Sequence, residues 1–165
     1  MELDNQIAKH TYISLLADVL KKKIEVLTTL LDLTEQQDSI ITTEPFNDEE
    51  FLNTISAKEG YIDELLKLED GFERIYSTIK EELTSSKDKF ADEISKFKEY
   101  IGIITDLSVK LQSTEARNKQ KMETYLAAQR NNLRKSRISN QTVANYYKTT
   151  SLQHEAQSYF YDKKK

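Results

Sequence analysis

Few side chains in this sequence are suited to chemistry. His10 and His154 are the only imidazoles, they stand at opposite ends of the chain, and no cysteine accompanies either. Neither lies in an HExxH or HxxxH spacing that would set two ligands on one helical face, so a zinc or catalytic histidine site has no basis. Three glycines cannot build a phosphate-cradling loop, and GxGxxG, GxxxxGKS/T and GxSxG are all absent. Carboxylates gather at Asp48-Glu49-Glu50, Glu81-Glu82 and Asp92-Glu93. Adjacent acids diverge on a helix, and these suit a solvated face or the positive end of a helix dipole better than a shared proton. Di-metal carboxylate bundles use Glu-x-x-His, which does not occur. The expectation is a binding protein and not an enzyme, with no cofactor, no metal and no small-molecule substrate.

Phosphate attraction is the other chemistry on offer. Arg117, Lys119, Lys121, Arg130, Arg134, Lys135 and Arg137 crowd one region. Residues 1–116 hold 13 Lys+Arg against 25 Asp+Glu, a net of −12, and residues 117–165 hold 11 against 3, a net of +8. On a helix these basic positions spread around the axis, and the chain as a whole is −4, which opposes a polyanion. Nucleic acid is therefore disfavoured. A membrane surface is more so, because residues 117–137 lack a broad apolar face. The basic end has a simpler use in covering an acidic face of its own body or of a second copy. No run of about 18 apolar residues occurs, and MELDNQIAKH shows no basic region leading into an apolar core. A cytoplasmic protein without membrane insertion is expected, and the lack of cysteine agrees with reducing surroundings.

Long helices must carry whatever binding there is. Glycine at 3 and proline at 1 in 165 residues leave little to break them, and 32% charged residues favour solvent-laced helices. The stripe Ile13, Leu16, Leu20, Ile24, Leu27 and Leu31 marks a first helix over about 5–41, with Lys21-Lys22-Lys23 falling mostly on its far side. Pro45 breaks the chain, and Asn47 before three acids restarts it. Phe51, Ile55, Ile62, Leu65, Leu66, Leu68, Phe72, Ile75, Ile79 and Leu83 then mark a second helix over about 48–84, open to interruption near Gly71. Thr84-Ser85-Ser86 offers caps for a third helix over about 87–135. Its heptad seam passes through Phe90, Ile94, Phe97, Ile101, Ile104, Ser108, Leu111, Glu115, Asn118, Met122, Tyr125 and Gln129. Short connections make the neighbours antiparallel.

The third seam decays from Phe and Ile into Ser, Glu, Asn and Gln. Buried, such residues would set register or oligomer state at a cost in stability. Exposed, they mark a helix that has outrun its partners, and the relative lengths favour exposure. From Ser136 onward, 12 of 30 residues are Ser, Thr, Asn or Gln, yet Tyr146, Tyr147, Tyr159, Phe160 and Tyr161 sit among them. Such a segment cannot bury enough apolar surface to offset its ordering entropy. The fold class expected is all-α: an extended antiparallel bundle or coiled coil of three long helices over 1–135, with a flexible C-terminal tail over 136–165. Its open seam and tail nominate Leu111, Asn118, Met122, Tyr125, Gln129, Leu133, Tyr146, Tyr147, Tyr159 and Phe160 as partner-binding residues.

LLADVLKKKIEVLTTLLDLTEQQDSI at 15–40 and FLNTISAKEGYIDELLKLEDGFERIY at 51–76 resemble the flagellar export chaperones of the FlgN family, and FliT-like chaperones share nearly the same pattern. Lys58 ahead of Ile62 and Leu65 matches that family's second helix, and QSTEARNKQ at 112–120 is similar to it as well. The resemblance implies a cytoplasmic chaperone of type III export that binds hook-associated proteins of the hook–filament junction and passes them to the export gate and ATPase complex. It also implies that the C-terminal part contacts the cargo. The competing class is a structural or oligomeric coiled-coil adaptor, with a homodimer as one form of it and a nucleic-acid-associated helical protein as another.

Overall fold

The computed structural model describes residues 2–129 and 142–149. Three long helices dominate: α1 (Glu2–Thr42), α2 (Asp48–Ser85) and α3 (Ala91–Ala128), followed by a short helix, α4 (142–149). No strand occurs among the described residues, and the chain is all-α. Along α1, partners on α2 run backwards, from Lys9–Glu82 at 2.6 Å to Thr34–Lys58 at 2.6 Å. Partners on α3 and the residue that precedes it run forwards, from the His10–Phe90 ring contact at 5.9 Å to Thr34–Glu115 at 3.2 Å. The order is therefore up, down, up. α1 packs against both α2 and α3, which stay further from each other.

Local signals account for the helix ends. Asn47 Oδ1 accepts the Glu50 N–H at 3.1 Å, and Asp48, Glu49 and Glu50 occupy the first turn of α2. Gly60 and Gly71 do not interrupt α2, which is continuous. The turn into α3 departs from expectation. Thr84 and Ser85 donate backwards to the Lys80 and Glu81 carbonyls, so they close α2 and do not cap its successor. α3 begins at Ala91 behind buried Phe90, which has no capping oxygen to give. Its described span closes at Ala128, and residues 130–135 of the expected helix lie outside the described residues. Phe46, in the hairpin loop, lies against Tyr125 at 4.5 Å between ring centres.

Two apolar clusters fill the bundle. The larger joins Ile13, Leu16, Leu20, Leu27 and Leu30 of α1 to Ile62, Leu65, Phe72 and Ile79 of α2 and Phe97, Ile104 and Leu111 of α3. Burial of each such side chain contributes about 1.5–3 kcal/mol. The smaller lies near the hairpin loop. There Phe51 and Ile55 of α2 and Met122 and Leu126 of α3 meet Val143, Tyr146 and Tyr147 of α4. The second half of α3 is thus not an open seam but a packed one, roofed by α4. The segment 136–165 likewise does not stay apart from the bundle over its whole length, since 142–149 docks on it.

Candidate functional site

Between the two clusters lies a layer of buried polar side chains. Heptad periodicity puts them there, since each occupies the position on its stripe where an apolar residue would fall. In α1 the buried series is Ile13, Leu16, Leu20, Lys23, Leu27, Leu30, Thr34 and Gln37; in α2 it is Phe51, Ile55, Lys58, Ile62 and Leu65. In α3, Leu111, Glu115, Asn118 and Met122 continue the seam, all of them buried. Where the helices meet, these polar positions coincide in height. They face one another because their spacing is that of their apolar neighbours.

Lys58 is the hub, with 1% of its surface exposed. Its ammonium, with three N–H donors, has four oxygens within hydrogen-bonding reach: Glu115 Oε1, the Tyr146 hydroxyl, Thr34 Oγ1 at 2.6 Å and Gln37 Oε1 at 3.1 Å. It also lies 4.8 Å from the centre of the Tyr146 ring. The Tyr146 hydroxyl stands 2.7 and 2.9 Å from the two Glu115 carboxylate oxygens and donates into that carboxylate. Asn118 Nδ2 donates to the Thr34 carbonyl at 2.8 Å. Burial pushes the Lys58 pKa below its ordinary value, and the Glu115 charge and hydrogen bond pull it part of the way back. Three polar atoms in or beside this layer, Gln37 Nε2, Asn118 Oδ1 and the Tyr147 hydroxyl, are buried without a hydrogen-bond partner among the described residues. Burial, with Glu115 and Glu123 nearby, raises the Tyr147 pKa.

The nominated residues divide accordingly. Asn118, Met122, Tyr146 and Tyr147 come together at this site, and Leu111 sits just below it in the larger cluster. All five are buried within the chain and none presents a free surface, which corrects the exposed reading of the seam. Glu115 and Asn118 have partners because Lys58 and Thr34 stand opposite them. Tyr125 is half-buried against Phe46, and burial and Asp48 raise its pKa. Gln129 closes α3, its N–H donating to the Tyr125 carbonyl at 3.0 Å. Leu133, Tyr159 and Phe160 lie outside the described residues.

Sequence reasoning passed over Thr34 and Gln37 and missed that Lys58 and Lys23 are buried. Lys23 is not on the far side of α1 but buried at 1% exposure, paired with Glu69 of α2. Of the basic residues of α3, Lys121 pairs with Asp38 of the same chain. No group of three or more metal-ligating side chains occurs among the described residues, and no described helix is long and apolar enough to cross a membrane. No family model matches the chain, nor does any curated protein or solved structure. Chemically, the layer can fix the register of four helices and offer a buried carboxylate to an incoming hydroxyl.

Proposed function

We propose that this chain is a carrier for other protein chains, a cytoplasmic chaperone of the flagellar type III export kind that holds hook-associated proteins and passes them to the export gate and ATPase complex. One observation carries the binding part of this reading. The end of the bundle near the hairpin loop accepts a short amphipathic helix, and α4 lies there on Phe51, Ile55, Met122 and Leu126. Accepting apolar–aromatic helices is what a holder of aggregation-prone subunits must do. The export setting rests on the FlgN-like sequence of residues 15–40 and 51–76. Met122, Tyr146 and Tyr147 meet a partner only once α4 has moved, so capture is coupled to rearrangement at this end.

Purified full-length chain mixed with each hook-associated protein of its own organism tests the reading. A soluble complex of defined stoichiometry with at least one of them, seen by size-exclusion chromatography with light scattering, is expected. Failure to bind any of them under conditions where the chain is folded would overturn the export assignment.

A further inference from the structure

At the end of the bundle away from the hairpin loop, the first turns of α1 face the turn that joins α2 to α3. Gln6, Lys9 and His10 are spaced i, i+3, i+4 and share one face of α1. The antiparallel run sets Lys9 against Glu82 at 2.6 Å, and the forward run sets the His10 ring edge to face with Phe90 at 5.9 Å. The turn itself closes with the Lys89 N–H donating to the Ser86 carbonyl at 3.1 Å. A half-enclosed hollow of about 220 Å³ lies among these residues, with room for several water-sized groups.

Its charge runs against that of the body around it. Residues 1–116 carry a net of −12, yet the hollow sets two lysines and a histidine against the single carboxylate of Glu82. Lys9 pairs with that carboxylate. The Lys89 ammonium, the Ser86 hydroxyl, the Gln6 amide and the His10 ring nitrogens have no hydrogen-bond or ion-pair partner among the described residues. Side-chain donors therefore converge on one space from two sides, the start of α1 and the α2–α3 turn. A carboxylate presents its oxygens in one plane and cannot use donors spread in this way. A phosphate presents three acceptor oxygens in different directions and about two negative charges, enough to balance both lysines. We propose that this hollow binds a small phosphate anion, either free or as the head of a monoester. It needs no glycine-rich loop, because side chains supply the donors. Lys9 and Lys89 balance the charge, Gln6, His10 and Ser86 orient the oxygens, and Glu82 competes with the ligand for Lys9. The site stands at the opposite end of the bundle from the surface of the carrier reading and is independent of it.

The test is a nuclear magnetic resonance titration of the isotope-labelled full chain at constant ionic strength, with inorganic phosphate in one arm and glycerol phosphate in the other. Saturable shifts are expected at the amides of 6–10 and 82–90 in at least one arm, half-complete below about 1 mM. The arm that saturates at the lower concentration tells free phosphate from a monoester. Lys89→Met should weaken binding about tenfold, and Lys9→Met by as much. Glu82→Gln should strengthen it roughly threefold by removing a competing charge. Lys89 and Glu82 lie outside both apolar clusters, so their variants keep the fold even if Lys9→Met loosens α1. Shifts that climb without saturating, or that sulfate and chloride reproduce at equal concentration, mean an adventitious ion only and overturn the proposal. Binding that none of the three substitutions alters overturns it as well. Tighter binding of single-stranded DNA at the same amides would give the site to a nucleic-acid backbone and overturn the small ligand.

Discussion

Lys23 and Lys58 are equally buried and sit on successive helices at equivalent places in the heptad stripe, yet they do different things. Lys23 pairs with Glu69 amid the larger apolar cluster, and burial drops its pKa to about 7 even with that carboxylate against it. Lys58 has four oxygen partners drawn from three other helices. An ion pair inside an apolar cluster joins two helices. A lysine at the centre of a polar layer joins four, and one of the four is the short helix whose presence closes the end of the bundle. The half of the molecule around Lys23 is thus held by apolar burial with one charged interruption. The half around Lys58 is held by a network that tells its helices where to stop and which segment to admit.

Removing the hub should give the largest effect. Lys58→Met strands Glu115, 4% exposed, with its charge unbalanced, and costs about 3–5 kcal/mol. Glu115→Leu should cost a similar amount by stranding the lysine. The double variant Lys58→Met/Glu115→Leu should regain most of the loss, because replacing both ions together leaves only uncharged groups to satisfy. Urea denaturation of the four proteins measures the coupling. Additive losses would mean that the pair does not act as a unit.

Much of this was legible in the chain. The three long helices follow from heptad steps and from Pro45 and Asn47, strong punctuation with a clear physical cause. The polar layer was written there too, in the gaps. Lys58 falls midway between Ile55 and Ile62, and Thr34 and Gln37 continue the steps set by Leu27 and Leu30. A stripe read only from its apolar members skips these positions. Glu115 and Asn118 looked unpartnered because the opposing lysine had not been placed on the same seam. α4 was harder to see. Val143, Tyr146 and Tyr147 have helical spacing, but two turns carry too short a pattern to stand out among Ser, Thr, Asn and Gln. Its order comes from a groove that exists only after the other helices have packed.

The second contrast concerns pH. Below about pH 7 both folded and unfolded chains keep Lys23 protonated, and the cost of burying that charge is felt in full. Between about 7 and its ordinary value of 10.5 the unfolded chain holds the extra proton, so stability contributed at this position rises with pH. The slope is at most about 1.4 kcal/mol per pH unit. Lys23→Met removes this component, so the gap in stability between wild type and variant should move toward wild type from pH 6.5 to 9.5. The raised tyrosine pKa values act only above that window. Urea midpoints for both proteins at the two pH values decide the matter; parallel pH dependences would show that Glu69 holds Lys23 charged throughout.

The smallest effect separates the two lysine environments by backbone. The two charges that α2 gives to the pairs of Lys23 and Glu115 are each followed two residues later by a glycine, Lys58 by Gly60 and Glu69 by Gly71. A Cβ added at either glycine meets nothing within 4 Å, and both lie inside a continuous helix. Alanine at each should therefore stabilise the chain by about 0.5–1 kcal/mol through helix propensity alone. Equal gains in thermal unfolding would show that the glycines are a plain cost. If Gly60→Ala gains nothing while Gly71→Ala gains in full, α2 needs local backbone freedom beside the polar layer and not beside the isolated ion pair. That outcome would tie the layer, and the admission of α4, to adjustment of α2 as well as to side-chain chemistry.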